Sequence, residues 1–274
     1  MAIASIRPAA VAGQFYPADE RVLRMQLSEL LASAVPLEQV APPKAIIVPH
    51  AGYVYSGPVA AAAYGALLPL RSQIRRVVML GPTHRMAVNG FALPAAQAFE
   101  TPLGRVAIDR EGWTALQQRP DLIVDDRPHA YEHCLEVQLP FLQTVLERFT
   151  LLPVLVGDAS TDAVAALIES VWGGPETLIV ISSDLSHFHS YQQAQRQDRE
   201  TVDRILAMRS GLGHEQACGA TPVNGLLRTA ARHGLVPHLL DIRNSGDTAG
   251  DRNRVVGYAS IAFCDPVPHA SKQH

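Results

Sequence analysis

Runs of β-branched and apolar residues alternate along this chain with segments of helical periodicity, and that alternation narrows the fold more than any other feature. "KAIIVPH" (44–50), "RRVVMLGPTH" (75–84), "TLLPVLVGD" (150–158) and "TLIVISSDLSH" (177–187) are too short and too rich in Val and Ile for helices and read as strands buried on both faces. Between and beside them, helices are expected over Glu20–Ala34, over the alanine-rich stretch after Pro58, and over 111–119, 132–149, 161–172, 191–211 and 223–234. Pro140 is expected to kink the helix over 132–149. Residues 91–109 read as short extended pieces with a hairpin, and 235–242 and 254–263 as closing strands. The pattern specifies an α/β sandwich: one mainly parallel central sheet flanked by helices. No repeat, low-complexity tract or linker divides it, so a single domain is expected with its core over about 7–264 and a loose tail over 265–274.

With 274 residues, 47% of them hydrophobic and 18% charged, the chain can bury a large core. The net charge of −3 is spread without a basic cluster, so nothing points to nucleic acid. The three cysteines, Cys134, Cys218 and Cys264, form no CxxC pair and no even-numbered framework, which fits a reducing cytoplasm. No apolar run reaches the length of about 18 residues that a membrane span needs, and the N-terminus lacks the layout of a signal peptide.

Ligands of open α/β sheets bind at the carboxyl ends of the strands. Here those ends carry His50, His84, and Asp184 with His187 three residues on; Asp158 closes a fourth. A single histidine at a strand end is more often structural than functional. Several delivered to one rim suit a divalent metal: two imidazoles with one acid are a non-haem Fe(II) set, and zinc accepts the same donors. The third donor is open between Asp247 and Asp251 in "NSGDTAGD", which also reads as a polar turn, and Cys218, which reads equally as a low-pKa thiol or a buried bystander. In "PHAYEHCLEV", His133 and Glu136 at i, i+3 would share a helix face and could orient a ligand from behind; Glu132 and His129 stand beside them. GxGxxG, GxxxxGK[ST] and HExxH are absent, and "SSDLSH" is too local for a hydrolase triad.

The motifs "FYPAD", "PHAGYVYSG", "GPTH", "TPLG", "EHCLEVQLPF", "SSDLSH", "CGATPV" and "NSGD…VVGYAS" occur in an order that resembles the MEMO-like family, whose prokaryotic members are called AmmeMemoRadiSam system protein B. The resemblance runs from Arg7 to about Phe263 and implies a fold like that of class III extradiol dioxygenases. It sets His50 and His84 at two metal-ligand positions and His187 at the position of a catalytic base. Animal relatives carry a cysteine as third ligand where ungapped counting from "VVGYAS" finds Thr248. The neighbouring Asp247 is the better donor and is taken as the third ligand, with Thr248 and Cys218 as alternatives. The implied activity is a non-haem Fe(II)-dependent oxidoreductase of extradiol type acting on an unknown substrate, with zinc or copper as other metals. Asp184 and His133 would position ligands, and Tyr53, Tyr55 and Cys218 would line the pocket. The alternatives are a binding module recognising a small molecule or peptide, as the animal adaptors do, and a zinc hydrolase with Glu136 or His187 as base. The family name links such proteins to radical SAM and AMMECR-type partners.

Overall fold

In the computed structural model, which describes residues 5–34 and 41–266, the apolar runs become neighbours in one sheet. The strands in chain order are β1 (Ile6–Arg7), β2 (Pro43–Val48), β3 (Arg76–Pro82), β4 (Phe91–Leu93), β5 (Ala98–Thr101), β6 (Gly104–Ala107), β7 (Leu122–Val124), β8 (Thr150–Val156), β9 (Thr177–Ser182), β10 (His187–His189), β11 (Val236–Asn244) and β12 (Val255–Cys264). The helices are α1 (Glu20–Ala32), α2 (Tyr53–Gly65), α3 (Arg110–Leu116), α4 (Arg127–Ala130), α5 (Leu139–Val145), α6 (Thr161–Ser170), α7 (Tyr191–Leu206) and α8 (Ala220–Arg232).

Four parallel strands, β2-β9-β3-β8, form the centre of a nine-stranded sheet. On one side β12 runs antiparallel to β2 and carries β11 and the short β10; on the other, β4 runs antiparallel to β8 and pairs with β7. A separate three-stranded sheet, β1-β5-β6, contains the expected hairpin.

The strands alternate their side chains between two cores. Ile46, Val48, Val77, Met79, Leu178 and Val180 face α1, α2 and α5. Ala45, Ile47, Val78, Leu80, Ile179 and Ile181 face α6, α7 and α8. Full burial of such side chains stabilises by about 1.5–3 kcal/mol each before the entropy of ordering the chain is charged against it. Covering both faces explains why these strands read as continuous apolar runs instead of alternating ones.

The helix expected over 132–149 is shorter than its periodicity suggests. A 3₁₀ turn at Glu136–Gln138 leads into α5, and His133 lies in the turn before it. Pro140 starts α5 instead of kinking it, because proline in the first turn sacrifices no intrahelical hydrogen bond. His133 and Glu136 therefore do not share a helix face. Of the tail expected to be loose, 267–274 lies outside the described residues.

Candidate metal centre

The ends of β2 and β3 and the turn at 131–135 bring three imidazoles together. The ring centroids of His50 and His84 are 5.1 Å apart, those of His50 and His133 5.4 Å, and those of His84 and His133 4.8 Å. Each offers a ring nitrogen, and these nitrogens lie within 4.8 Å of one another.

The hydrogen bonds behind the rings fix their tautomers. Ser182 Oγ, at the end of β9, donates to the Cys134 carbonyl at 2.7 Å and accepts Gln138 Nε2–H at 3.0 Å. Its proton is spent, so its contact of 2.9 Å with His50 Nδ1 is one in which the imidazole donates. His50 Nε2 is left as a lone pair. Glu132 does the same for His84: Oε1 accepts Nδ1–H at 2.9 Å, and Oε2 accepts the backbone N–H of His84 at 2.6 Å. Oε1 also accepts the backbone N–H groups of His133 at 2.9 Å and Cys134 at 3.1 Å. Burial pushes the Glu132 carboxyl up, but the bonds from His84 and the backbone outweigh it and hold the group at about 2, so it is ionised. A carboxylate behind a histidine orients the ring and raises its basicity as a ligand.

Burial, followed by the neighbouring His84, lowers His50 to about 3; burial, followed by His50, lowers His133 to about 4. Both rings are neutral at pH 7 and able to ligate. His133 Nδ1 is buried and has no hydrogen-bond partner among the described residues. It stands 3.2 Å from Glu132 Oε1, but not in hydrogen-bonding geometry. Three imidazoles whose ring nitrogens come within 4.8 Å of one another make a donor set that fits a divalent transition metal.

The other expected site residues divide. Asp184 is buried beside His50: its Oδ1 accepts the His50 backbone N–H at 2.7 Å, and its Oδ2 is 4.0 Å from His50 Nε2. Burial raises its pKa, opposed by the His50 N–H bond. His187 lies on β10, and its Nδ1 donates to the Leu185 carbonyl at 2.9 Å. Cys218 touches His50 Nε2 through its sulfur at 3.3 Å. It is not a low-pKa thiol, since burial and then Asp184 push it up to about 12. Cys218 and His84 line an open cleft of about 560 Å³ together with Arg85, Asp158, His214 and Thr221.

Asp247 is not brought to the imidazoles. Its carboxylate accepts the Tyr191 hydroxyl and the Asn244 N–H, and it lines a separate cleft of about 550 Å³ between α7 and β11. Turn geometry claims the acid, and the third nitrogen of the cluster is that of His133. Thr248 Oγ1 donates to the Ser245 carbonyl, and Asp251 is an exposed turn residue. Tyr53 does not line the cleft either: it is 3% exposed, packs on Phe141 and donates to the Val137 carbonyl. Tyr55, at 38% exposure, faces solvent. Glu136 is fully buried and accepts from Arg7 Nη1, the N–H groups of Ala10 and Val11, and the Tyr16 hydroxyl; it fastens the N-terminal segment and orients no ligand. His129 is buried with its Nε2 on the Ala92 carbonyl.

Sequence reasoning gave no role to Glu132, Ser182 or Gln138. The signal for Glu132 was present: an acid directly before His133, in a segment that also had to supply an acceptor for a ligating imidazole.

Residues 7–262 match the family described as Memo-like protein. The chain belongs to that family. Among MEMO1 family proteins, one from Sulfolobus acidocaldarius is 36% identical, covering 95% of this chain and the whole of the relative. One from Methanopyrus kandleri is 36% identical over 94% of this chain and 98% of its own, and one from Aquifex aeolicus 35% identical over 94% and 99%. The Memo match accords with the observed architecture, a large mixed sheet between helical layers in the extradiol-dioxygenase-like manner. In this Memo-like chain the histidine group is a candidate metal site, and no helix among the described residues is long and apolar enough to cross a membrane.

Proposed function

We propose that this protein binds a divalent transition metal through His50, His84 and His133 and is a non-haem Fe(II)-dependent oxidoreductase of extradiol type. The observation that carries the metal reading is the convergence of three imidazoles with ring nitrogens within 4.8 Å of one another, two of them oriented through Nδ1 by Ser182 and Glu132. A ferrous ion held there would supply Lewis acidity and one-electron redox capacity. Glu132 keeps His84 oriented, and Ser182 keeps His50 oriented. His187 Nε2 can take up a proton, and Asp184, its pKa raised by burial, can hold one beside His50. The open cleft at His84 admits a small molecule.

The zinc-hydrolase alternative loses one of its two candidate bases, since Glu136 is consumed by the N-terminal segment. We further propose a cytoplasmic role in an AmmeMemoRadiSam-type system with radical SAM and AMMECR-type proteins, a reading that rests on the motif resemblance alone.

The test is elemental analysis of protein purified without oxygen and supplied with Fe(II), wild type beside His50→Ala and His84→Ala, followed by oxygen uptake with catechol-type diols. Stoichiometric iron lost in both variants supports the site, and diol-dependent oxygen uptake supports the chemistry. Iron bound equally by all three proteins would overturn the site, and iron without any uptake would overturn the oxidoreductase reading.

A further inference from the structure

The cleft of about 550 Å³ between α7 and β11 has no part in the metal reading, and its charges are only partly answered from within. Gln192, Gln195 and Arg199, at i, i+3 and i+7 of α7, form one wall, and Arg243 lies on the other. Three guanidinium groups and three carboxylates line it in all. Arg243 is committed to Asp241 at 2.9 Å, and Asp247 accepts from Tyr191 and from the Asn244 N–H. Arg196 and Arg199 are exposed and pair with no acid among the described residues, and Glu200 is exposed beside them.

Asp198 differs from these. It is 2% exposed and yet lines the cleft. Its Oδ1 accepts the Ser186 N–H at 3.0 Å. Its Oδ2 lies over the bare Cα of Gly257, where any Cβ would collide with it, and accepts no hydrogen bond among the described residues. Burial pushes the carboxyl up to about 6, with Ser186 opposing the shift. A buried acid without a counter-ion is costly, and a charged donor entering from the cleft relieves it. A ligand of one charge fits this set poorly. A phosphate or a plain carboxylate would suit Arg196 and Arg199 but be repelled by Asp198, and a plain amine would suit Asp198 but be repelled by the guanidinium groups. A molecule carrying both charges answers both.

We infer that the cleft between α7 and β11 is a binding site for a free α-amino acid, with the ammonium group on Asp198 Oδ2 and the carboxylate on Arg196 and Arg199. The side chain then lies along the Gln192 and Gln195 amides, in a cleft of the size that small-molecule sites have. The site shares no lining residue with the three imidazoles and needs no metal there.

The test uses the whole chain free of metal, so that an amino acid cannot bind by chelating an ion. The common amino acids are screened by thermal shift and the best of them titrated by calorimetry. Saturable binding is expected from at least one, unchanged in His50→Ala, and lost when its amine is acetylated or its carboxylate converted to an amide. Asp198→Asn keeps an oxygen for the Ser186 N–H and is expected to weaken binding by about 30-fold or more. Arg199→Gln, a change at an exposed side chain, is expected to weaken it by about tenfold and decides the matter should circular dichroism show that Asp198→Asn misfolds. No saturable binding by any amino acid would overturn the inference, as would equal affinity for the acetylated derivative or binding that survives unchanged in both variants. Inorganic phosphate bound at the cleft and displaced by no amino acid would make it an anion site only and would overturn it too. Loss of binding in His50→Ala would move the ligand to the histidine group and overturn the inference while leaving the metal reading intact.

Discussion

Glu132 grips His84 twice, accepting its ring Nδ1–H at 2.9 Å with one oxygen and its backbone N–H at 2.6 Å with the other. The carboxylate therefore sets both where the strand end stops and which nitrogen of the ring faces the cluster. Glu132→Gln keeps the shape of the side chain but replaces one acceptor oxygen with an amide that donates, so one of the two grips becomes repulsive. Metal affinity is expected to fall by about 10–100-fold, with stoichiometry at saturating metal and circular dichroism unchanged. Competition with a chromogenic chelator measures this, and an unchanged affinity would remove Glu132 from the site.

His129 provides a pH prediction independent of any metal. It is buried, and burial lowers it from 6.5 to about 3, with the Ala92 carbonyl bond opposing the shift. The unfolded chain therefore binds a proton near pH 6.5 that the folded chain refuses until about pH 3. Its contribution is fully present above pH 6.5 and is lost as pH falls from there toward 3. Urea denaturation of metal-free protein should show unfolding free energy dropping across that window. In His129→Asn the slope should be shallower, even if stability at pH 7 is lower.

The fold was legible because β2, β3, β8 and β9 are buried on both faces, and a doubly buried strand has no way to hide its composition. His50 and His84 were legible for a related reason: each stands at or just beyond the end of such a strand, where polar atoms need a cleft. The third nitrogen was not. Asp247 and His133 both lie in turns, and a turn's hydrogen bonds depend on neighbours distant in sequence; Asp247 is claimed by Tyr191, 56 positions away. Glu136 misled through helical periodicity, because the chain forms a 3₁₀ turn there and rotates the carboxylate into the core.

Glu136 is expected to matter for stability and not for metal. Its side chain answers four donors, and Arg7, with which it pairs at 2.5 Å, is itself 5% exposed. Glu136→Ala leaves that guanidinium buried without its counter-ion, a change that costs about 3–5 kcal/mol. Denaturant midpoints should fall accordingly. Metal stoichiometry measured well below the midpoint should be unchanged, and a variant that folds normally yet loses metal would return Glu136 to the site.

His133 and Asp247 can be separated by one pair of variants. If the third nitrogen belongs to His133, then His133→Ala removes a ligand, and metal content after gel filtration should fall well below stoichiometric. Asp247→Ala breaks the Tyr191 contact and the cap on Asn244 at the end of β11, a loss of about 0.5–2 kcal/mol by analogy with helix caps. It leaves the imidazoles untouched, so metal content should match wild type while thermal stability declines modestly. The reverse pattern, metal kept without His133 and lost without Asp247, would restore the two-histidine, one-carboxylate set and would require the 245–247 turn to open toward β2 when metal binds.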